Sequence, residues 1–181
     1  MKFTTFLNNG EPRLGLVDGD RVIDLNAAQP AVPPDLRATL QAGADLHAAA
    51  RAALASDAPR LPLASLVLAP PVPEPGKTIC LGLNYFDHAK EGGREKPDYP
   101  WFFFRAASSL IGHRRPGRVP KVSAKFDYEA EMAVVIGTRV PRHTVQADAL
   151  QYVFGYSCFN DMSVRDYQKR TPQWTIGKNF D

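Results

Sequence analysis

Asp127-Tyr128-Glu129-Ala130-Glu131-Met132-Ala133-Val134-Val135-Ile136-Gly137 contains the best strand candidate in the chain, Tyr128 to Ile136. Side chains on a strand alternate between two faces. Glu129 and Glu131 therefore share a face with Ala133 and Val135, while Tyr128, Ala130, Met132, Val134 and Ile136 share the other. The far end is apolar on both faces and is expected to be buried. The two carboxylates sit on a face that becomes core within two residues. Unpaired buried carboxylates cost several kcal/mol, and a divalent cation removes that cost. The same spacing also fits a strand end that frays into solvent with both glutamates wet.

Downstream, Ala147 to Val153 reads as a short helix and Phe154 to Phe159 as a strand. Asn160-Asp161 then starts a further helix. Asp161 fits a helix N-cap, and it fits a third carboxylate ligand. Three oxygen ligands from separate segments suit a hard cation such as Mg²⁺ or Mn²⁺. Trp174 to Phe180 reads as strand-like, and Lys178 in it either snorkels to the surface or stands over an anionic site.

Upstream, Trp101-Phe102-Phe103-Phe104 is a β-prone aromatic run, and Thr78 to Gly82 reads as a buried strand. Asn84 to Glu91 suits a short helix. There His88 and Glu91 stand at i, i+3 and share a face. They form either an ordinary surface pair or an imidazole oriented by a carboxylate, as a general base requires. Pro59 to Pro75 holds six prolines and excludes a central strand or a helix. It marks a domain boundary near residues 70–76. Before it, three short strands precede a helix opened by Pro33-Pro34-Asp35, with an apolar stripe at Leu36, Leu40, Leu46, Ala50 and Leu54.

Composition narrows the functional classes. Of 181 residues, 44% are hydrophobic and 23% charged, with a net charge of +3. These values exclude disorder, collagen and a coiled coil. No stretch approaches a membrane span. Two cysteines, Cys80 and Cys158, form no disulfide framework, so a cytoplasmic setting is the simplest. The one dense basic run, His113 to Arg118, lacks the aromatic interleaving of a nucleic-acid surface.

The order of these segments is more specific than any one of them. Leu81-Gly82-Leu83-Asn84-Tyr85-Phe86-Asp87-His88, Phe126 to Glu131, Gly155 through Asn160-Asp161-Met162-Ser163-Val164-Arg165-Asp166, and Trp174 to Lys178 together resemble the fumarylacetoacetate hydrolase family over residues 77–181. The resemblance implies an α+β, β-rich fold. Residues 71–181 would form the first part of a mixed β-sheet roll, and residues 1–70 a small N-terminal α+β domain. It implies that Glu129, Glu131 and Asp161 hold a divalent metal, usually Mg²⁺, with Mn²⁺ or Ca²⁺ as alternatives. It makes His88 and Glu91 the base dyad and puts Lys178 near metal and substrate. Arg105 departs from the family, many of whose members carry Lys there.

The implied activity is hydrolysis of a C–C bond in an acylpyruvate or related anionic 2-oxo acid, in aromatic or small-acid catabolism. Isomerisation or decarboxylation of a 2-oxo dicarboxylate uses the same site, and a non-catalytic metal-binding homologue is the other class. A cytoplasmic homodimer is expected. The family continues for about another hundred residues, so the 181 residues are expected to be a fragment of a longer enzyme.

Overall fold

Two tight turns start the fold. Asn9 and Gly10, with φ of 53° and 86°, close strand β1 (Lys2–Asn8) onto β2 (Glu11–Asp18). Both central residues lie at positive φ, the geometry that matches strand twist in a two-residue hairpin. A second turn through Gly19 leads to β3 (Arg21–Asp24). The computed structural model describes residues 1–91, 93, 95 and 97–180, with the backbone alone for His88 and Glu91.

Three helices follow, each opened by an aspartate. Asp24 accepts from Asn26 N and Ala27 N at the start of α1 (Leu25–Ala28). Asp35 caps α2 (Leu36–Gln41), and Asp45 caps α3 (Leu46–Leu54). These caps satisfy backbone donors that have no partner inside the helix. The single apolar stripe expected from Leu36 to Leu54 is two helices, broken at Gly43 with φ 65°. Leu14, Leu16, Ile23, Leu25, Leu36, Leu46, Ala50 and Ala53 form one buried cluster between these helices and the sheet. The proline-rich segment contributes β4 (Arg60–Pro62), a 3₁₀ turn over Leu63–Ser65 that the proline count had excluded, and β5 (Val67–Leu68). The two strands form the edges of a five-stranded sheet ordered β4-β3-β2-β1-β5, as the missing proline donors require.

The remaining chain is built from short strand pairs. β6 (Thr78–Gly82) leads through α4 (Phe86–Glu91) to β7 (Trp101–Arg105), which pairs antiparallel with β6. β8 (Phe126–Asp127) precedes β9 (Ala130–Ile136), and β9 pairs with β10 (Val153–Asn160). β11 (Ser163–Val164) returns antiparallel to β8 and leads into α5 (Arg165–Gln168). The architecture is α+β and rich in sheet.

Three expectations are corrected. The far end of β9 is not buried on both faces: Met132, Val134 and Ile136 are 61%, 46% and 53% exposed. The strand alternates as its period requires, with its exposed positions on that apolar face. Likewise Ile79 in β6 is exposed while Cys80 is buried. Trp174–Gly177 is a 3₁₀ turn rather than a strand.

The chain divides into two compact units: Met1–Glu74 with Ile111–Pro116 and Glu131–Phe159, and Pro75–Leu110 with Gly117–Ala130 and residues 160 onward. Among the described residues no helix is long and apolar enough to cross a membrane.

Candidate metal centre

β8 and β11 assemble the site. Ser163 stands opposite Asp127 and Val164 opposite Phe126. Beyond that pairing the Asp161 N–H donates to the Glu129 carbonyl at 2.9 Å. Two residues 32 positions apart are thus fixed side by side by backbone hydrogen bonds. Asp161 does not cap the following helix. The N-cap of α5 is Val164, which has no side-chain cap bond. The Asp161 side chain is fully buried and turns instead to two cations.

Each oxygen of Asp161 takes a different cation. Arg105 Nη1 donates to Oδ1, and Lys178 Nζ donates to Oδ2 at 2.7 Å. Lys178 also donates to Glu129 Oε2 at 2.9 Å. Glu129 Oε1 accepts from Arg165 Nη1 and, at 3.2 Å, from the Ser163 hydroxyl. Arg165 Nε reaches Asp127 Oδ2 at 2.9 Å. Burial pushes the Glu129 carboxyl up, but Lys178 and Arg165 outweigh it and hold the group below its ordinary value. Burial likewise opposes the Arg165 charge, and Glu129 and Asp127 outweigh it, so the guanidinium is held above its ordinary value.

An aromatic wall supports the ammonium. Lys178 Nζ lies 5.0 Å from the Phe103 ring centroid, a cation–π distance. Trp174 packs against Phe103 and Trp101, at centroid distances of 6.1 Å and 5.4 Å. A side chain at Gly82 would collide with the Trp174 ring, so this strand can approach only as glycine. Asn179 ties the segment down. Its Oδ1 accepts from Ala106 N at 2.7 Å, and its Nδ2 donates to Phe104 O at 3.1 Å.

Of the sequence-derived candidates, Glu129, Glu131 and Asp161 each offer one carboxylate oxygen, and these atoms lie within 4.8 Å of one another. Glu131 follows Glu129 by two residues along the same chain segment, so continuity of the backbone keeps the two close. Three hard oxygen donors at this separation fit a divalent cation such as Mg²⁺ or Mn²⁺. Lys178 joins them directly. His88 and Glu91 lie on α4, and their side chains lie outside what the structure describes. Arg165 and Ser163 received no role from the sequence, although both sit in the quoted segment after Asn160. Arg105 was legible only as a departure from the family. Its position two residues after Phe103 puts it on the buried face of β7.

Residues 77–181 match the fumarylacetoacetate (FAA) hydrolase C-terminal family. Over 174 residues the chain is 40% identical to the mitochondrial oxaloacetate tautomerase fahd2 of Xenopus laevis, covering 94% of this chain and 54% of that protein. The chain spans about half the length of the curated relatives it matches. Among solved structures it resembles fumarylacetoacetate hydrolase from Exiguobacterium antarcticum, with a TM-score of 0.77 and 33% identity over 100% of this chain and 62% of that one. It also resembles maleylpyruvate hydrolase from Sphingobium sp. SYK-6 in complex with manganese(II) and pyruvate, with a TM-score of 0.76 and 33% identity over 100% of this chain and 63% of that one. With the match spanning β6 to the last residue, the chain belongs to the fumarylacetoacetate hydrolase family.

Proposed function

We propose that the protein acts on a 2-oxo acid at a divalent-metal centre held by Glu129, Glu131 and Asp161, and that its reaction is hydrolysis of a C–C bond in an acylpyruvate. The observation that carries this reading is the carboxylate cluster with Lys178 bridging two of its members. When bound, the cation supplies Lewis-acid polarisation of the 2-oxo group.

The charges around it favour an anionic substrate. Asp127, Glu129, Glu131 and Asp161 stand with Arg105, Arg165 and Lys178, one negative charge in excess. A divalent cation turns that into one positive charge in excess, which suits a carboxylate ligand. Lys178 and Arg165 keep Glu129 ionised and oriented. His88, oriented by Glu91, would take a proton from the attacking water.

Tautomerisation of a 2-oxo dicarboxylate is the second reading. It is favoured by the 40% identity to an oxaloacetate tautomerase. The same base would then move a proton between carbon and oxygen, with no water consumed.

Calorimetric titration of the metal-stripped chain with Mg²⁺ and Mn²⁺ tests the centre. Parent binding that is lost in Glu131→Ala is expected, and unchanged affinity in that variant overturns the ligand set. A panel of acylpyruvates and oxaloacetate then separates the reactions. Pyruvate release marks hydrolysis, and keto–enol conversion without cleavage marks tautomerisation.

A further inference from the structure

We propose that Arg105 is a positioning residue for Asp161, presenting its carboxylate to the metal; this rests on the metal centre proposed above. Arg105 is the last residue of β7, and its side chain is 4% exposed against 0% for Asp161. Its Nη1 donates to Asp161 Oδ1 and, at 3.2 Å, to the Met162 carbonyl. One nitrogen thus grips the side chain of Asp161 and the backbone that follows it. On the other side Lys178 Nζ holds Oδ2. A carboxylate held at both oxygens cannot rotate, and each oxygen keeps a lone pair for a cation. Without Arg105, Lys178 alone would set the tilt of the Asp161 carboxylate.

The anchoring of β7 supports the role. β7 is paired along its length with β6, Thr78 standing opposite Arg105. Just past it, Asn179 accepts from Ala106 N. The residues gripping Asp161 from either side, Arg105 and Lys178, are therefore tied to each other through the neighbouring Ala106 and Asn179. A lysine at position 105 would keep the charge, but its stem ends one atom short of Nη1, so it would not reproduce both bonds.

Two effects of removing the guanidinium oppose each other. A fixed cation repels a divalent ion, so a purely electrostatic role predicts tighter metal binding in Arg105→Met. A positioning role predicts weaker binding. Losing the group that orients a metal ligand typically costs about 10–100-fold in affinity.

The test is Mn²⁺ binding to the metal-stripped 181-residue chain, by calorimetry, with thermal melting as the check on folding. The expected result is Arg105→Met weakened about 10–100-fold, with Arg105→Lys between it and the parent. Equal or tighter binding by a folded Arg105→Met overturns the proposal. Should that variant fail to melt cooperatively, Arg105→Lys carries the test, and affinity equal to the parent overturns the proposal. Failure of both variants to fold makes Arg105 a structural ion-pair partner and overturns it too. A parent chain that binds no Mn²⁺ overturns the metal centre itself, an outcome distinct from the others, and the role of Arg105 falls with it.

Discussion

Lys178 Nζ lies 2.7 Å from Asp161 Oδ2, with the two side chains at 1% and 0% exposure. No solvent screens this pair, and the ammonium also serves Glu129. Removing one partner of a buried pair leaves the other uncompensated and costs about 3–5 kcal/mol. Lys178→Met is therefore expected to lower the urea midpoint sharply when measured with a chelator. With Mg²⁺ present the loss should be smaller, because a divalent cation compensates the same carboxylates. Equal losses in the two conditions would count against a metal at this cluster.

Glu129 gives the site a pH dependence of known sign. Its native pKa lies below its ordinary value, so the unfolded chain binds the proton more readily. Stability from this group is fully present above the unfolded carboxylate pKa of about 4.3. It is lost as pH falls through the lower native value. Chelator-treated protein should keep a flat melting temperature from neutrality down to about pH 5 and lose it below. In Glu129→Gln the acid limb should be shallower, as followed by melting at several pH values.

Much of the candidate site was legible because its residues sit in short segments. The alternation of Glu129 and Glu131, the carboxylate at Asp161 and the lysine at 178 could all be read from spacing and resemblance. Their assembly could not. It depends on the β8–β11 pairing and on Arg105 and Arg165, whose partners lie 56 and 36 positions away in sequence. The N-terminal strands were legible because each turn carries residues suited to positive φ. The helix break at Gly43 and the turn at Trp174 were not. A 3.6-residue stripe does not register a single glycine, and an aromatic run reads as strand whatever it packs against. The exposed face of β9 was misread because apolar composition reports a capacity for burial and says nothing of what is there to cover it.

Gly177 precedes Lys178 and permits close approach to α5. A side chain there would stand 2.5 Å from Gln168 N and 2.6 Å from its Cα, both backbone positions that cannot yield. Gly177→Ala should cost about 1–3 kcal/mol and should weaken Mn²⁺ binding by displacing Lys178. Gly155, in β10, has nothing within 4 Å of such a side chain. Gly155→Ala should stay within about 0.5 kcal/mol of the parent. Urea unfolding of both variants makes the comparison, and similar costs at the two positions would contradict it.

Asp161→Asn separates two roles for one residue. Asparagine caps a helix about as well as aspartate, so a capping role predicts almost no loss of stability. The structure gives Asp161 a different task, as counter-charge to Arg105 and Lys178 in a site without solvent. Asparagine keeps the size and removes the charge, leaving Arg105 and Lys178 without their shared carboxylate. The expected cost is about 3–5 kcal/mol, read as a lower urea midpoint in chelator at neutral pH. A double substitution with Arg105→Met should cost less than the sum of the two single ones, because the second change removes a charge the first had stranded. Strict additivity, or a single-variant cost near zero, would mean that the Arg105–Asp161 pair does not hold this part of the chain together.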